Sequence, residues 1–133
     1  SGYKTWLINK TFGGGIRNFN FYCHKSIEKL ESKYFCNMHP HNYYLEILTE
    51  TGLIGFALIL IIFSITLYIS LFKKYLDKSH LNSNHVITPF ILLLITEIFP
   101  VKSTGSFFTT GNSTYFFIIF ATVIALSRTD NFK

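Results

Sequence analysis

The histidine at position 41 is the residue in this sequence best suited to proton transfer. It lies in the run His39-Pro40-His41-Asn42, ahead of a stretch that reads as a helix. An imidazole can accept a proton near neutral pH, so His41 is a candidate general base. A histidine at a helix start is also typical of a cap or an interface residue, and that alternative stays open from the residues alone.

A glycine run next to an arginine offers a second chemistry. The segment Gly13-Gly14-Gly15-Ile16-Arg17-Asn18-Phe19 combines backbone N–H groups with a guanidinium, and both suit a phosphate. The spacing is neither that of a P-loop nor that of a dinucleotide fingerprint. A simple glycine-rich turn is the competing interpretation.

Two cysteines lie between the glycine-rich segment and His41. Cys23 and Cys36 are separated by twelve residues, and two cysteines in an oxidising compartment usually pair. We therefore predict a disulfide, which would stabilise the chain by about 3 kcal/mol through loop closure. Free thiols, or a metal site built on Cys36-x-x-His39-x-His41, are the alternatives.

Small residues and acids follow the histidine at helical spacing. Gly52 and Gly55 share a predicted helix face with His41, and two glycines three apart let a neighbouring helix approach closely. Glu46 and Glu50, four residues apart, form an acidic stripe beside that face. We expect this helix to run directly into the apolar part of the chain.

Composition divides the chain into a polar start and apolar blocks. The 133 residues carry a net charge of +5, but only 14% are charged, against roughly 25% in ordinary soluble domains. Fifteen Phe, eight Tyr and a mean hydropathy of +0.32 exclude a disordered chain, a coiled coil and a nucleic-acid arm. The polar start shows no signal peptide, which favours a piece of a longer multi-span protein over a complete small one.

The apolar blocks predict an all-α membrane protein. Residues 53–72 are twenty residues without a charge, about 30 Å of helix and enough to cross a hydrocarbon core. Residues 86–101 are either a short kinked span or a re-entrant element, and residues 115–127 form the last span. Between them, residues 102–114 read as a loop with Phe107 and Phe108 exposed at the interface and Asn112 or Ser113 available as a helix cap.

Basic residues in short segments predict the orientation. The lysines at 73, 74 and 78 lie between spans, and Arg128 and Lys133 lie in the tail 128–133, so both segments are expected on the cytoplasmic side. Residues 1–52 and 102–114 are then expected on the opposite face, which is the periplasmic one if the organism is a Gram-negative bacterium.

The spacing of His41 resembles a known pattern. His41-Asn42, nine residues, Gly52, two residues and Gly55 match the H-[NSQ]-x9-G-x2-G pattern of O-antigen ligases. The segment GGGIRNF resembles the glycine-containing stretch that precedes this pattern in the family, and PVKSTGSFF followed by NST resembles the loop between its last spans. The similarity covers roughly residues 12–127.

The resemblance implies a function. Family members are polytopic inner-membrane proteins of about a dozen helices, and this chain resembles the end of their large periplasmic loop and the final helices. They act in lipopolysaccharide biosynthesis, moving a glycan from undecaprenyl pyrophosphate to an acceptor hydroxyl, on lipid A-core for a ligase. His41 would be the catalytic base, Arg17 would hold the pyrophosphate and Asn42 would orient substrate, without a metal or other cofactor. The family's earlier helices are expected to complete the site, so this segment alone is expected to be inactive.

Three alternatives remain at this point. A repeat-unit polymerase for O-antigen or exopolysaccharide and a protein O-oligosaccharyltransferase belong to the same superfamily and share its pattern. A non-catalytic transporter or channel subunit would use Glu97, an acid within an apolar block, as an ion-handling residue. Such a subunit would leave the spacing from His41 to Gly55 unexplained.

Overall fold

The part of the chain that the structure describes is all-helical, as the sequence predicts. The computed structural model describes residues 2–28, 36–73, 86–101 and 105–128. Within these residues there are five α-helices: α1 (Gly2–Trp6), α2 (Phe19–Glu28), α3 (Tyr43–Leu67), α4 (Ile87–Glu97) and α5 (Thr110–Arg128). Helix α3 continues into a π-helical turn, Tyr68–Lys73.

Two of the helices are long and apolar enough to cross a bilayer. They are the stretch Tyr43–Leu71, which contains the break at Gly52 described below, and the stretch Thr110–Ser127. Large apolar side chains such as Leu58, Ile61 and Ile65 are exposed along α3, whereas a core helix of a soluble protein would bury them. Helix α4 has 11 residues, about 17 Å at 1.5 Å per residue, and is shorter than a hydrocarbon core.

Helix α3 is interrupted at one glycine. Gly52 has φ 70° and ψ −169°, which are not helical angles. The interruption divides α3 into a polar first part, residues 43–51, and an apolar second part that begins at Leu53. The predicted start of the apolar segment at residue 53 therefore coincides with a break in the backbone.

The last helix begins earlier than the sequence predicts. Helix α5 starts at Thr110, five residues before the expected Tyr115, because its small polar residues are tolerated in a first turn. Asn112 therefore lies inside the first turn and does not cap the helix; its side-chain amide donates to the Ser106 carbonyl at 2.8 Å. Phe107, expected to be exposed, is buried.

The chain forms two compact units that divide within α3 and α5. The first contains Ser1–Ile59 and Pro100–Asn112, and the second contains Leu60–Phe99 and Ser113–Lys133. In the second unit the rings of Phe63, Phe116 and Phe120 form a cluster, with the Phe116 centroid 5.5 Å from that of Phe63 and 6.0 Å from that of Phe120. Ile87, Ile91 and Leu94 of α4 are buried in the same unit. The candidate site residues all belong to the first unit.

Part of the predicted topology concerns residues outside the described ranges. Residues 74–85, 102–104 and 129–133 are not described, and they include most of the basic residues on which the predicted orientation depends. The orientation therefore remains a prediction from charge.

Candidate functional site

His41 lies just before helix α3 and not within it. Its φ is 52°, in the left-handed region, and its side chain is exposed. A non-glycine residue with positive φ is uncommon and marks a position that the surrounding structure holds. The expectation that His41 shares a helical face with the glycines is wrong, because the helix begins two residues later, at Tyr43.

His39 lies beside His41. The two ring centroids are 4.3 Å apart, with an interplanar angle of 65°, and the His41 backbone N–H donates to His39 Nδ1 at 3.4 Å. The sequence alone does not predict this contact, because Pro40 separates the two residues. The left-handed backbone at His41 turns the chain back, so the rings meet.

Asn42 is the N-cap of α3. Its side-chain oxygen accepts the backbone N–H of Leu45 at 3.1 Å, as an N-cap does for the third helical residue. Its side-chain nitrogen donates to the Pro100 carbonyl at 2.7 Å. The predicted substrate-orienting residue is thus engaged in holding the start of α3 against residue 100, and it holds the chain that carries His41.

The glycine-rich turn supplies the backbone hydrogen-bond partners that α3 lacks at its break at Gly52. In an unbroken helix the N–H groups of Leu53 and Ile54 would donate to the carbonyls of Thr49 and Glu50. Residues 10–15 instead supply a partner to each of these four groups. The bonds are Leu53 N–H to Lys10 C=O (2.9 Å), Ile54 N–H to Thr11 C=O (3.3 Å), Gly14 N–H to Thr49 C=O (2.8 Å) and Gly15 N–H to Glu50 C=O (2.9 Å).

Glycine is required on both sides of this contact. The φ and ψ of Gly52 lie in a region that is essentially open only to glycine, and Gly13 has φ 74°. A Cβ on Gly52 would overlap the Thr11 carbonyl, and a Cβ on Gly13 would overlap the Glu50 carbonyl. Each glycine therefore lets the other segment approach backbone to backbone.

The predicted role of the two glycines in helix packing needs correction. We expected Gly52 and Gly55 to admit a neighbouring helix, but Gly52 receives the turn at residues 11–13. A Cβ on Gly55 would meet the side chain of Thr51, one turn earlier in the same helix. The prediction that another segment approaches closely is confirmed at Gly52, but that segment is a turn and not a helix.

Arg17 is anchored to α3 through Glu50. The Arg17 backbone N–H donates to Glu50 Oε2 at 2.7 Å, and Arg17 has φ 62°. Only 2% of the Glu50 surface is exposed, and this residue precedes the break, outside the apolar segment. The Arg17 side chain itself is exposed.

Glu46 binds the segment at residues 106–107, a structural role that the sequence did not predict. It is 1% exposed and accepts a hydrogen bond from the Ser106 hydroxyl and another, at 2.5 Å, from the Phe107 backbone N–H. The Tyr43 and Phe107 rings also meet, with centroids 5.2 Å apart. The two residues of the predicted acidic stripe are therefore buried, and each holds one loop by hydrogen bonds. Glu50 holds the turn at Arg17, and Glu46 holds residues 106–107.

A disulfide joins Cys23 and Cys36, as the sequence predicts, with their Cα atoms 5.8 Å apart. A hydrogen bond from the Asn20 side chain to the Asn37 carbonyl at 3.2 Å accompanies it. Because the Cys36 sulfur is bonded to Cys23, the alternative metal site loses its thiolate. Among the described residues no group of three or more His, Cys, Asp and Glu side chains could hold a metal ion.

His41 and Arg17 are associated with opposite ends of one short helical segment. His41 precedes Tyr43, while Arg17 bonds to Glu50, the eighth residue of the helix. Eight residues span about 12 Å along a helix axis. The structure therefore positions both residues from one helical segment.

Comparison with known proteins gives no relative for this chain. No protein-family model matches the sequence, no curated protein matches it, and no solved structure matches it.

Proposed function

We propose that this chain is the C-terminal part of an O-antigen ligase-like glycosyltransferase of the bacterial inner membrane. The observation that carries the proposal is the arrangement of the pattern's fixed positions. His41 is exposed in a left-handed turn, Asn42 caps the helix, and Gly52 breaks the helix where the glycine-rich turn enters. These positions have distinct structural roles, which supports the interpretation of the spacing as a functional pattern.

The reaction that suits these residues is transfer of a glycan from a lipid pyrophosphate. The His41 imidazole accepts the proton of the acceptor hydroxyl, and the hydroxyl oxygen bonds to the anomeric carbon of the donor. The bond from that carbon to the pyrophosphate oxygen breaks, and undecaprenyl pyrophosphate leaves with the electron pair. Pyrophosphate is a good leaving group, so the proposal needs one base and a cation but no acid.

An in-line displacement needs a base and a cation on opposite sides of the anomeric carbon. The base contacts the incoming hydroxyl on one side, and the cation contacts the phosphates on the other. His41 precedes the segment Tyr43–Glu50, and the Arg17 backbone bonds to its last residue. One segment therefore carries both candidates, which supports His41 as base and Arg17 as phosphate ligand.

The membrane part of the proposal is supported by the two long apolar helices. A lipid-linked donor is reached at a membrane surface, and the glycine-rich turn with Arg17 is bonded to the first residues of the apolar segment. Residues 1–52 would then lie in the periplasm, where the Cys23–Cys36 disulfide is stable.

Purified full-length protein containing this chain tests the function. It is given an undecaprenyl-pyrophosphate-linked glycan and a lipid A-core acceptor, and the products are separated by gel and mass spectrometry. We expect glycan-bearing lipid A-core and free undecaprenyl pyrophosphate, with the rate unchanged by EDTA. Products lengthened on the lipid carrier without use of lipid A-core would indicate a polymerase, and absence of any transfer would refute the proposal.

A further inference from the structure

The turn that carries Arg17 exposes two large apolar side chains. Phe12 is 77% exposed and Ile16 is 60% exposed, and the neighbouring Lys10 is exposed as well. Single exposed apolar residues are common on protein surfaces and need no explanation. Here, however, two of them flank a glycine run whose backbone has a fixed place next to α3.

Hydrogen bonds fix this turn level with the start of the apolar segment. The carbonyls of Lys10 and Thr11 accept the N–H groups of Leu53 and Ile54 at 2.9 Å and 3.3 Å. Leu53 and Ile54 are the first two residues of the uncharged stretch and are themselves exposed. The turn therefore lies at the same level along the helix axis as Leu53 and Ile54, the first residues that would enter lipid.

The neighbouring helix adds residues typical of a membrane interface. Trp6 lies at the end of α1, and its indole N–H donates to the Lys10 carbonyl at 3.1 Å. The Tyr3 ring lies against it, with centroids 5.6 Å apart. Tryptophan and tyrosine are enriched where membrane proteins cross the headgroup layer, and lysine is favoured beside anionic headgroups.

We propose that residues 10–16 form a membrane-contact turn whose Phe12 and Ile16 side chains insert into the interfacial layer of the phospholipid bilayer. The occupant is bulk phospholipid, because the turn is continuous through hydrogen bonds with the segment that would span the bilayer. The proposal rests on the membrane location given above. It adds that the turn, and not only the span, contacts lipid, which brings Arg17 to the depth of lipid phosphate groups.

Spin labelling of the full-length protein in phospholipid vesicles tests the inference. Single cysteines replace Phe12, Ile16, Met38 and Ile61, and the native cysteines do not react because they form a disulfide. Met38 is a matched control, since it is 79% exposed in the same unit but has no bond to the apolar segment among the described contacts. Ile61 lies nine residues beyond Gly52, about 13 Å along the helix and near the bilayer centre.

For each spin label, the collision rate with oxygen, which concentrates in lipid, is compared with the collision rate with a water-soluble nickel chelate. We expect labels at 12 and 16 to show an oxygen-to-nickel ratio several-fold above that at 38 and below that at 61. If 61 is in lipid but 12 and 16 match a water-exposed 38, this inference fails and the membrane location stands. Equal lipid exposure at 38 would also overturn it, since contact would not be confined to the turn. If 61 itself is in water, the proposed membrane location fails.

Discussion

At the scale of single residues, the two buried acids explain how the loops reach the helix. Glu46 accepts hydrogen bonds from Ser106 and Phe107, and Glu50 accepts one from Arg17. A buried donor that loses its acceptor costs about 1–3 kcal/mol. These carboxylates therefore hold the site's loops even though neither is assigned a role in the reaction.

Replacing Glu46 by Gln tests this role. The glutamine keeps the shape but not the charge. Its oxygen can accept from the Phe107 N–H and its amide nitrogen can donate to the Ser106 hydroxyl, so two charge-assisted hydrogen bonds become weaker neutral ones. We expect the free energy of unfolding to fall by about 1–3 kcal/mol, measured as a lower thermal midpoint in detergent. Lys25→Gln, at an exposed position of α2, is the control and should leave the midpoint unchanged; an equal midpoint for Glu46→Gln would contradict the anchoring role.

At the scale of elements, the break in α3 and the glycine-rich turn form one unit of structure. The turn supplies hydrogen-bond partners to the four backbone groups that the break exposes. Neither element would be stable in this form without the other, because unpaired backbone groups at the edge of an apolar segment are costly.

Gly52→Ala tests that dependence. The alanine would occupy backbone angles open only to glycine and would overlap the Thr11 carbonyl, so we expect a loss of at least ~2 kcal/mol in stability. Limited proteolysis should also cut residues 10–17 faster. Gly111→Ala is the matched control, because its added Cβ meets nothing within 4 Å and the helix gains slightly from alanine. Equal proteolysis of both variants would show that the turn does not depend on Gly52.

The sequence predicted the elements better than their junctions. Apolar length is sufficient to find α3 and α5, and cysteine count is sufficient to suggest the disulfide. The break at Gly52 was not predicted, because a glycine at helical spacing is equally compatible with close helix packing. The contact of His39 with His41 was missed for a related reason: a left-handed backbone at a histidine leaves no clear signal in a single sequence.

At the scale of the whole molecule, the disulfide and the basic residues support the same prediction, that the first unit lies on the periplasmic side. Closure of the loop between Cys23 and Cys36 is expected in an oxidising compartment, which is the periplasmic side predicted from the basic residues.

Labelling of intact cells tests this orientation. A cysteine replacing Lys25, exposed on α2, should react with a membrane-impermeant maleimide added outside the inner membrane. A cysteine replacing Ser79, which lies outside the described residues, should react only after lysis. The opposite pattern would place the first unit in the cytoplasm and contradict the proposed function.

The most direct test of the central claim is the glycan-transfer rate of His41→Ala in the purified full-length protein. Loss of a general base typically lowers the rate ~10²–10⁴-fold, and we expect a fall in that range with normal membrane insertion. His24→Ala, an exposed histidine of the same unit, should transfer glycan at the wild-type rate. Wild-type transfer by His41→Ala would contradict the account.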